Sequence, residues 1–169
     1  MPGHAQPHIH RDGPLGFAVL TTTDSRTADE DASGAILRAA IEKAGHHVVR
    51  SGLCANSIPA IQDAVRGWIS TQEVDAIVTS GGTGFSPRDV TIDALEQMGG
   101  RKIDGFGERF RALSYDQVGI LSLMSRSALY LVDRRPVFAL PGSPKACQLA
   151  IEQIILPFAP HLVSELRKV

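Results

Sequence analysis

Between Val74 and Leu95 the chain reads VDAIVTSGGTGFSPRDVTIDAL, with Gly81, Gly82 and Gly84 crowded into four residues at its middle. Residues without side chains let the backbone take positive φ and leave main-chain N–H groups uncovered, so an anion can approach them. Thr79, Ser80 and Thr83 surround the turn with hydroxyls, and Asp89 adds a carboxylate able to hold a divalent cation against phosphate oxygens. The chemistry this spacing suggests is phosphate handling with Mg²⁺. The plainer alternative is a tight strand-to-helix connection with no ligand. No Lys-Ser/Thr pair follows the glycines and no G-x-G-x-x-G occurs in the loop, so neither a Walker-type NTPase nor a dinucleotide-binding Rossmann enzyme is supported.

A second segment of the same kind is Leu140-Pro141-Gly142-Ser143-Pro144-Lys145-Ala146. Ser143 can cap a helix that begins at Pro144, and Lys145 brings a cation to a helix end whose free N–H groups already favour an anion. Two further stretches carry polar groups after apolar runs. Thr22-Thr23-Asp24-Ser25-Arg26 is either a second wall of a ligand site or an Asx-type turn that stops a strand. In ILSLMSRS (120–127), Arg126 stands among Ser122, Ser125 and Ser127, where it could grip a phosphate or pair with a nearby acid.

These segments need elements to hold them. Leu15 to Thr21 is a continuous apolar run, as expected of a central strand covered on both faces. Gly34 to Ala44 carries an apolar helical stripe with Asp31 or Ser33 as its cap and Gly45 as its stop. His46 to Leu53 reads as a strand, and Asn56 or Ser57 starts a helix with Pro59 in its first turn and Trp68 on its packed side. Val74 opens the third strand, so the order is β, α, β, α, β with short joints, which implies a largely parallel sheet with right-handed crossovers. The glycine turn then lies beyond a carboxyl strand end, where open α/β sheets collect ligands. Past Gly99-Gly100 a helix is expected over Glu108 to Leu113, then a β-hairpin of Ala128–Val132 and Val137–Leu140. A final helix runs from Lys145 to about Phe158, with a break at Pro160 before a short helical tail. The expected architecture is α/β and three-layered: a mostly parallel sheet flanked by helices, with an added antiparallel hairpin.

At 169 residues, 43% hydrophobic and 21% charged, the chain suits one well-cored domain, expected over 14–169. Residues 1–13, MPGHAQPHIHRDG, have no period that could bury a face and read as a tail, in which His4, His8 and His10 are a metal cluster or a solvated arm. A net charge of −1 supplies no global field for nucleic acid or an anionic membrane, so any anion site is local. Cys54 and Cys147 have no metal or redox spacing, and neither a leader nor a long apolar segment is visible, which fits a reducing cytoplasm.

The ordered set TTTDSR, SGGTGFSPRDVT, GFGERFRALSYDQVG, LMSRSA and LPGSPKAC resembles the MoaB/MogA family of molybdenum cofactor biosynthesis proteins. The resemblance implies the molybdopterin-binding fold and a cytoplasmic homotrimer or homohexamer, open to contact with other proteins of the pathway. It implies molybdopterin as substrate and, in active members, its adenylylation by Mg-ATP. Position by position, it puts the glycine motif on Gly81, Gly82, Thr83 and Gly84 beside Thr79 and Ser80, and the essential, Mg²⁺-holding acid on Asp89. It puts the nucleotide-side strand end on Thr23 and Asp24, and the pterin-side hydroxyls on Ser114 and Ser125 with Arg126 adjacent. The second cradle falls on Pro141, Gly142, Ser143 and Lys145. One departure stands out: Asn56 occupies a position where active members have a second aspartate, and an amide coordinates a cation without neutralising it. The alternative the departure raises is a non-catalytic molybdopterin carrier or scaffold.

Overall fold

The computed structural model describes residues 13–168; the tail histidines His4, His8 and His10 lie outside the described residues. Strands are β1 (Gly16–Thr22), β2 (His47–Cys54), β3 (Ala76–Ser80), β4 (Arg101–Ile103), β5 (Ala128–Val132) and β6 (Arg135–Leu140). Helices are α1 (Ala32–Lys43), α2 (Ile58–Ile69), α3 (Thr91–Gln97), α4 (Asp104–Val118), α5 (Pro144–Ala150) and α6 (Leu156–Arg167). The strands form one sheet in the order β2-β1-β3-β6-β5-β4. Pairing is parallel from β2 through β6 and antiparallel where β5 and β4 are added. This is the mixed, helix-flanked sheet the sequence predicts, with β4 as an extra edge strand.

Local chemistry accounts for the boundaries. Asp31 caps α1 by accepting from the Gly34 N–H at 2.9 Å, and Gly45 follows at φ +84°. Of the two candidate caps for α2, Ser57 serves, accepting from the Ala60 N–H. The two sheet faces carry separate cores. One packs α1, α4, α5 and α6 through Phe17, Val19, Leu37, Phe110, Phe138 and Ile155. The other packs α2 and α3 through Leu20, Ile61, Val65, Ile77, Leu95 and Tyr130, with Trp68 partly buried against it. Strands β1 and β3 are buried throughout, as strands covered on both sides must be.

Three expectations change. Helix α4 runs over fifteen residues instead of the six from Glu108 to Leu113, because Phe106, Phe110 and Ser114 form a buried stripe at four-residue spacing that outweighs Gly105 and Gly107. The final helix does not break at Pro160; it continues to Arg167. A π-turn at Ile151–Ile155, in which the Leu156 N–H donates to the Ile151 carbonyl, widens the helix just before Pro157 and Pro160, and burial of Ala159 and Val163 holds the segment in place. By length and composition alone the resulting Pro144–Arg167 helix could cross a membrane, so a long apolar segment is present after all; its apolar face is part of the core. Cys54 and Cys147 are both free, with burial raising their thiols to about 11 and about 12 respectively.

Candidate functional site

Strands β3 and β6 are parallel neighbours at the centre of the sheet, so the loops leaving their carboxyl ends lie side by side. The Gly81 N–H donates to the Leu140 carbonyl at 2.9 Å and joins the two loops at their roots. Gly81 and Gly82 both take positive φ, +99° and +68°. A side chain at Gly82 would put its Cβ 2.3 Å from Thr91 Oγ1 and 2.7 Å from Asn56 Oδ1, so glycine is required there for space as well as for conformation. The turn is fixed from below. Thr91 Oγ1 donates to the Gly81 carbonyl at 2.8 Å, the Thr91 N–H to the Gly82 carbonyl at 2.9 Å, and Thr22 Oγ1 to the Ser80 carbonyl at 3.3 Å.

Above this floor opens a cavity of about 770 Å³, the size of a ligand pocket for a nucleotide or pterin. Its first wall is Gly82, Thr83, Gly84 and Asp89, and its second is Pro141, Gly142, Ser143 and Lys145. Ser114 and Ser125 line the third side with Phe110, Gln117, Val118, Leu121 and Met124, contributed by α4 and the 3-10 turn Gly119–Met124. Among the described residues, the main-chain N–H groups of Gly82, Thr83 and Gly84 have no protein acceptor. Ser143 leaves the start of α5 without a side-chain cap, and Lys145 has no ion-pair partner among the described residues. Free N–H groups on two walls plus one unpaired ammonium have the chemistry to offset the charge of a polyanion.

Asp89 is half-buried, and its Oδ2 accepts from the Ser86 N–H at 2.9 Å, which leaves Oδ1 for a cation. No group of three His, Cys, Asp or Glu side chains gathers among the described residues. These donors fit Mg²⁺ carried in by phosphate, which takes one or two carboxylates and fills its octahedron with phosphate oxygens and water.

The remaining predicted residues stand outside the cavity lining. Thr79 and Ser80 are fully buried in β3; Ser80 Oγ bonds Thr21 Oγ1 at 3.2 Å, and Thr79 Oγ1 has no partner. Thr23 Oγ1 accepts from the N–H groups of Ser25 and Arg26, and Asp24 Oδ1 accepts from the Asn56 N–H at 2.8 Å, tying the exit of β1 to that of β2. Asn56 lies beneath the glycine loop, with Nδ2 donating to the Arg88 carbonyl and Oδ1 buried without a donor. Arg126 faces away and pairs with Asp93 at 3.0 Å. The apolar wall from Val118 to Met124 escapes sequence reasoning because it reads as a loop; its one signal is the cluster of large apolar side chains in a polar neighbourhood.

Residues 18–161 match the family model described as a probable molybdopterin binding domain. The chain belongs to the MoaB/MogA family of molybdenum cofactor biosynthesis proteins. It is 40% identical to molybdenum cofactor biosynthesis protein B of Staphylococcus epidermidis over 169 residues, covering 98% of this chain and 96% of that one. The Escherichia coli K12 protein of the same name is 37% identical, with 88% and 94% covered. A crystal structure of molybdenum cofactor biosynthesis protein B superposes with a TM-score of 0.88 at 36% identity, covering 90% of this chain and 96% of that one. The tungsten cofactor synthesizing protein MoaB of Pyrococcus furiosus gives 0.81 at 30% identity, covering 92% and 98%. The role of the chain is in molybdenum cofactor biosynthesis.

Proposed function

We propose that this chain binds molybdopterin and adenylylates it with Mg-ATP. The carrying observation is the pair of main-chain anion cradles, 82–84 and 141–145, facing each other across one cavity with Asp89 on one lip and Lys145 on the other. In this reading an oxygen of the terminal phosphate of molybdopterin attacks the α-phosphorus of ATP. A new P–O–P bond forms, the α–β bond breaks, and pyrophosphate leaves. No covalent enzyme intermediate is needed, only two phosphorylated ligands held in line and their charge offset. Asp89 would hold Mg²⁺, which when bound would offset phosphate charge, while Lys145 and the N–H groups of Gly82 to Gly84 offset the rest. Ser114 and Ser125 mark the pterin side. Thr23 and Asp24 shape the nucleotide side through the exit of β1, with Asn56 supporting the loop from below.

The chain acts in the cytoplasm as a homo-oligomer in the same proposal. Support comes from two free thiols and from the run Tyr115, Val118, Ile120, Leu121, Leu123 and Met124, whose members are 50–67% exposed. Large apolar side chains clustered in one exposed run, rather than scattered singly, mark an interaction surface.

Incubation with molybdopterin and Mg-ATP is expected to release pyrophosphate, and Asp89→Asn to abolish release with an unchanged far-UV CD spectrum. Molybdopterin bound tightly with no pyrophosphate above background would overturn the transfer step and leave a carrier.

A further inference from the structure

Arg126 stands beside the cavity without lining it, and its hydrogen bonds show what it does there. Its main-chain N–H donates to the Thr83 carbonyl at 3.0 Å, Nε to the Gly84 carbonyl at 3.0 Å, and Nη2 to the Asp89 carbonyl at 2.7 Å. Asp93, one turn into the helix that follows the loop, accepts from Nη1 at 3.4 Å and Nη2 at 3.0 Å. Four guanidinium N–H bonds are thereby committed to protein, from a group that has five. The Phe85 ring, 62% exposed, covers the guanidinium at 5.8 Å.

The bonds fall on the two ends of one segment. Thr83 and Gly84 open the loop and Asp89 closes it, so a single rigid fork fixes the span that sets where the Asp89 carboxylate points. We infer that Arg126, locked by Asp93, is a positioning residue that holds the 83–89 loop shut and aims Asp89 into the cavity. The inference rests on the proposed transfer reaction for its consequence, though not for its geometry. The hydrogen bond to Arg126 holds the Asp93 carboxyl below the usual carboxylate range, and the same bond raises the Arg126 guanidinium. Lysine could replace the charge and not the fork, because a single ammonium cannot reach three acceptors at these angles.

Three readouts test the clamp. In the ligand-free protein, Arg126→Lys and Asp93→Asn are each expected to speed exchange of the Ser86, Arg88 and Asp89 amides, which are hydrogen-bonded within the loop, by roughly tenfold or more while β1 and β3 keep their protection. In turnover, each is expected to lower kcat roughly tenfold to a hundredfold, with Mg-ATP affinity falling by a smaller factor. The double variant should lose no more than the worse single one, because both break the same unit. Unchanged exchange in both variants overturns the clamp whether or not the wild-type protein turns over. A large loss of Mg-ATP affinity with kcat intact overturns it in favour of direct phosphate contact. Absence of pyrophosphate release from the wild type, with loop exchange accelerated in both variants, strikes only the transfer reaction.

Discussion

Asn56 sits at the centre of the residue-scale chemistry although it never reaches the cavity. Its Nδ2 donates upward to the Arg88 carbonyl while Oδ1 is enclosed near Gly82 and lacks a donor. An aspartate there would lose that donation and turn an oxygen toward the same carbonyl. Asn56→Asp is therefore expected to destabilise the protein by about 1–3 kcal/mol in urea titration. It is also expected to leave pyrophosphate release no faster than wild type, since the new charge would be held under the loop instead of in it. A large gain in rate would show that the loop opens to admit a second acidic ligand. At this scale the sequence told the residue types apart from their roles only in part. Gly82, Gly84, Asp89, Ser143 and Lys145, singled out from glycines after an apolar run and a Ser-Pro-Lys helix start, come to line one cavity. Arg126 was not legible, since whether an arginine meets phosphate or an aspartate depends on Asp93, thirty-three residues away, being brought against it. Thr79 and Ser80 are adjacent to the motif in sequence, yet both are fully buried in β3, a burial that no local pattern of hydroxyls reveals.

At the scale of elements, the β3-to-α3 connection is the part most sensitive to substitution. Gly82→Ala has to place a methyl against Thr91 Oγ1 and Asn56 Oδ1 while holding φ near +68°. The left-handed conformation alone costs about 1–2 kcal/mol, so a total loss near 2 kcal/mol or more is expected in chemical denaturation, together with loss of Mg-ATP binding. Most elements were readable because burial imposes its period: two for β1 and β3 overridden by full coverage, near four for α1 and α2. The misses have physical causes. Helix α4 is called short by its glycines, but Gly107 sits where a Cβ would come within 2.7 Å of the Ser127 carbonyl, so that glycine serves close packing of α4 on β5 and does not end the helix. Pro160 signals a stop, but it lies inside α6, which burial of Ala159 and Val163 holds to the core on through to Arg167. The three-residue β4 is too brief to carry any period at all.

For the whole molecule, the apolar run on α4 and the following 3-10 turn both walls the cavity, through Val118, Leu121 and Met124, and faces solvent. The proposed association would therefore use the surface that also walls the cavity. If the chain associates as proposed, Ile120→Asp combined with Leu123→Asp, two residues 67% and 63% exposed, is expected to leave a folded monomer of about 18.1 kDa in sedimentation equilibrium. A wild-type chain that already sediments at that mass would remove the proposed association. The far end of the sheet is closed differently. Asp75 accepts from the Gly16 N–H at 2.9 Å and from Arg167 at 2.7 Å, which anchors the last helix beneath the strands.

The pairing of β3 with β6 also sets a timetable for synthesis. Ile77 lies opposite Val137, sixty residues later in the chain, so β3 waits on one side while those residues are made. At ~5–20 residues per second the wait is roughly 3–12 s. Throughout it AIVTS lacks its partner on the β6 side, and an unpaired strand edge is a template for unwanted strand pairing. The two walls of the cavity, 82–89 and 141–145, come together only after the wait ends.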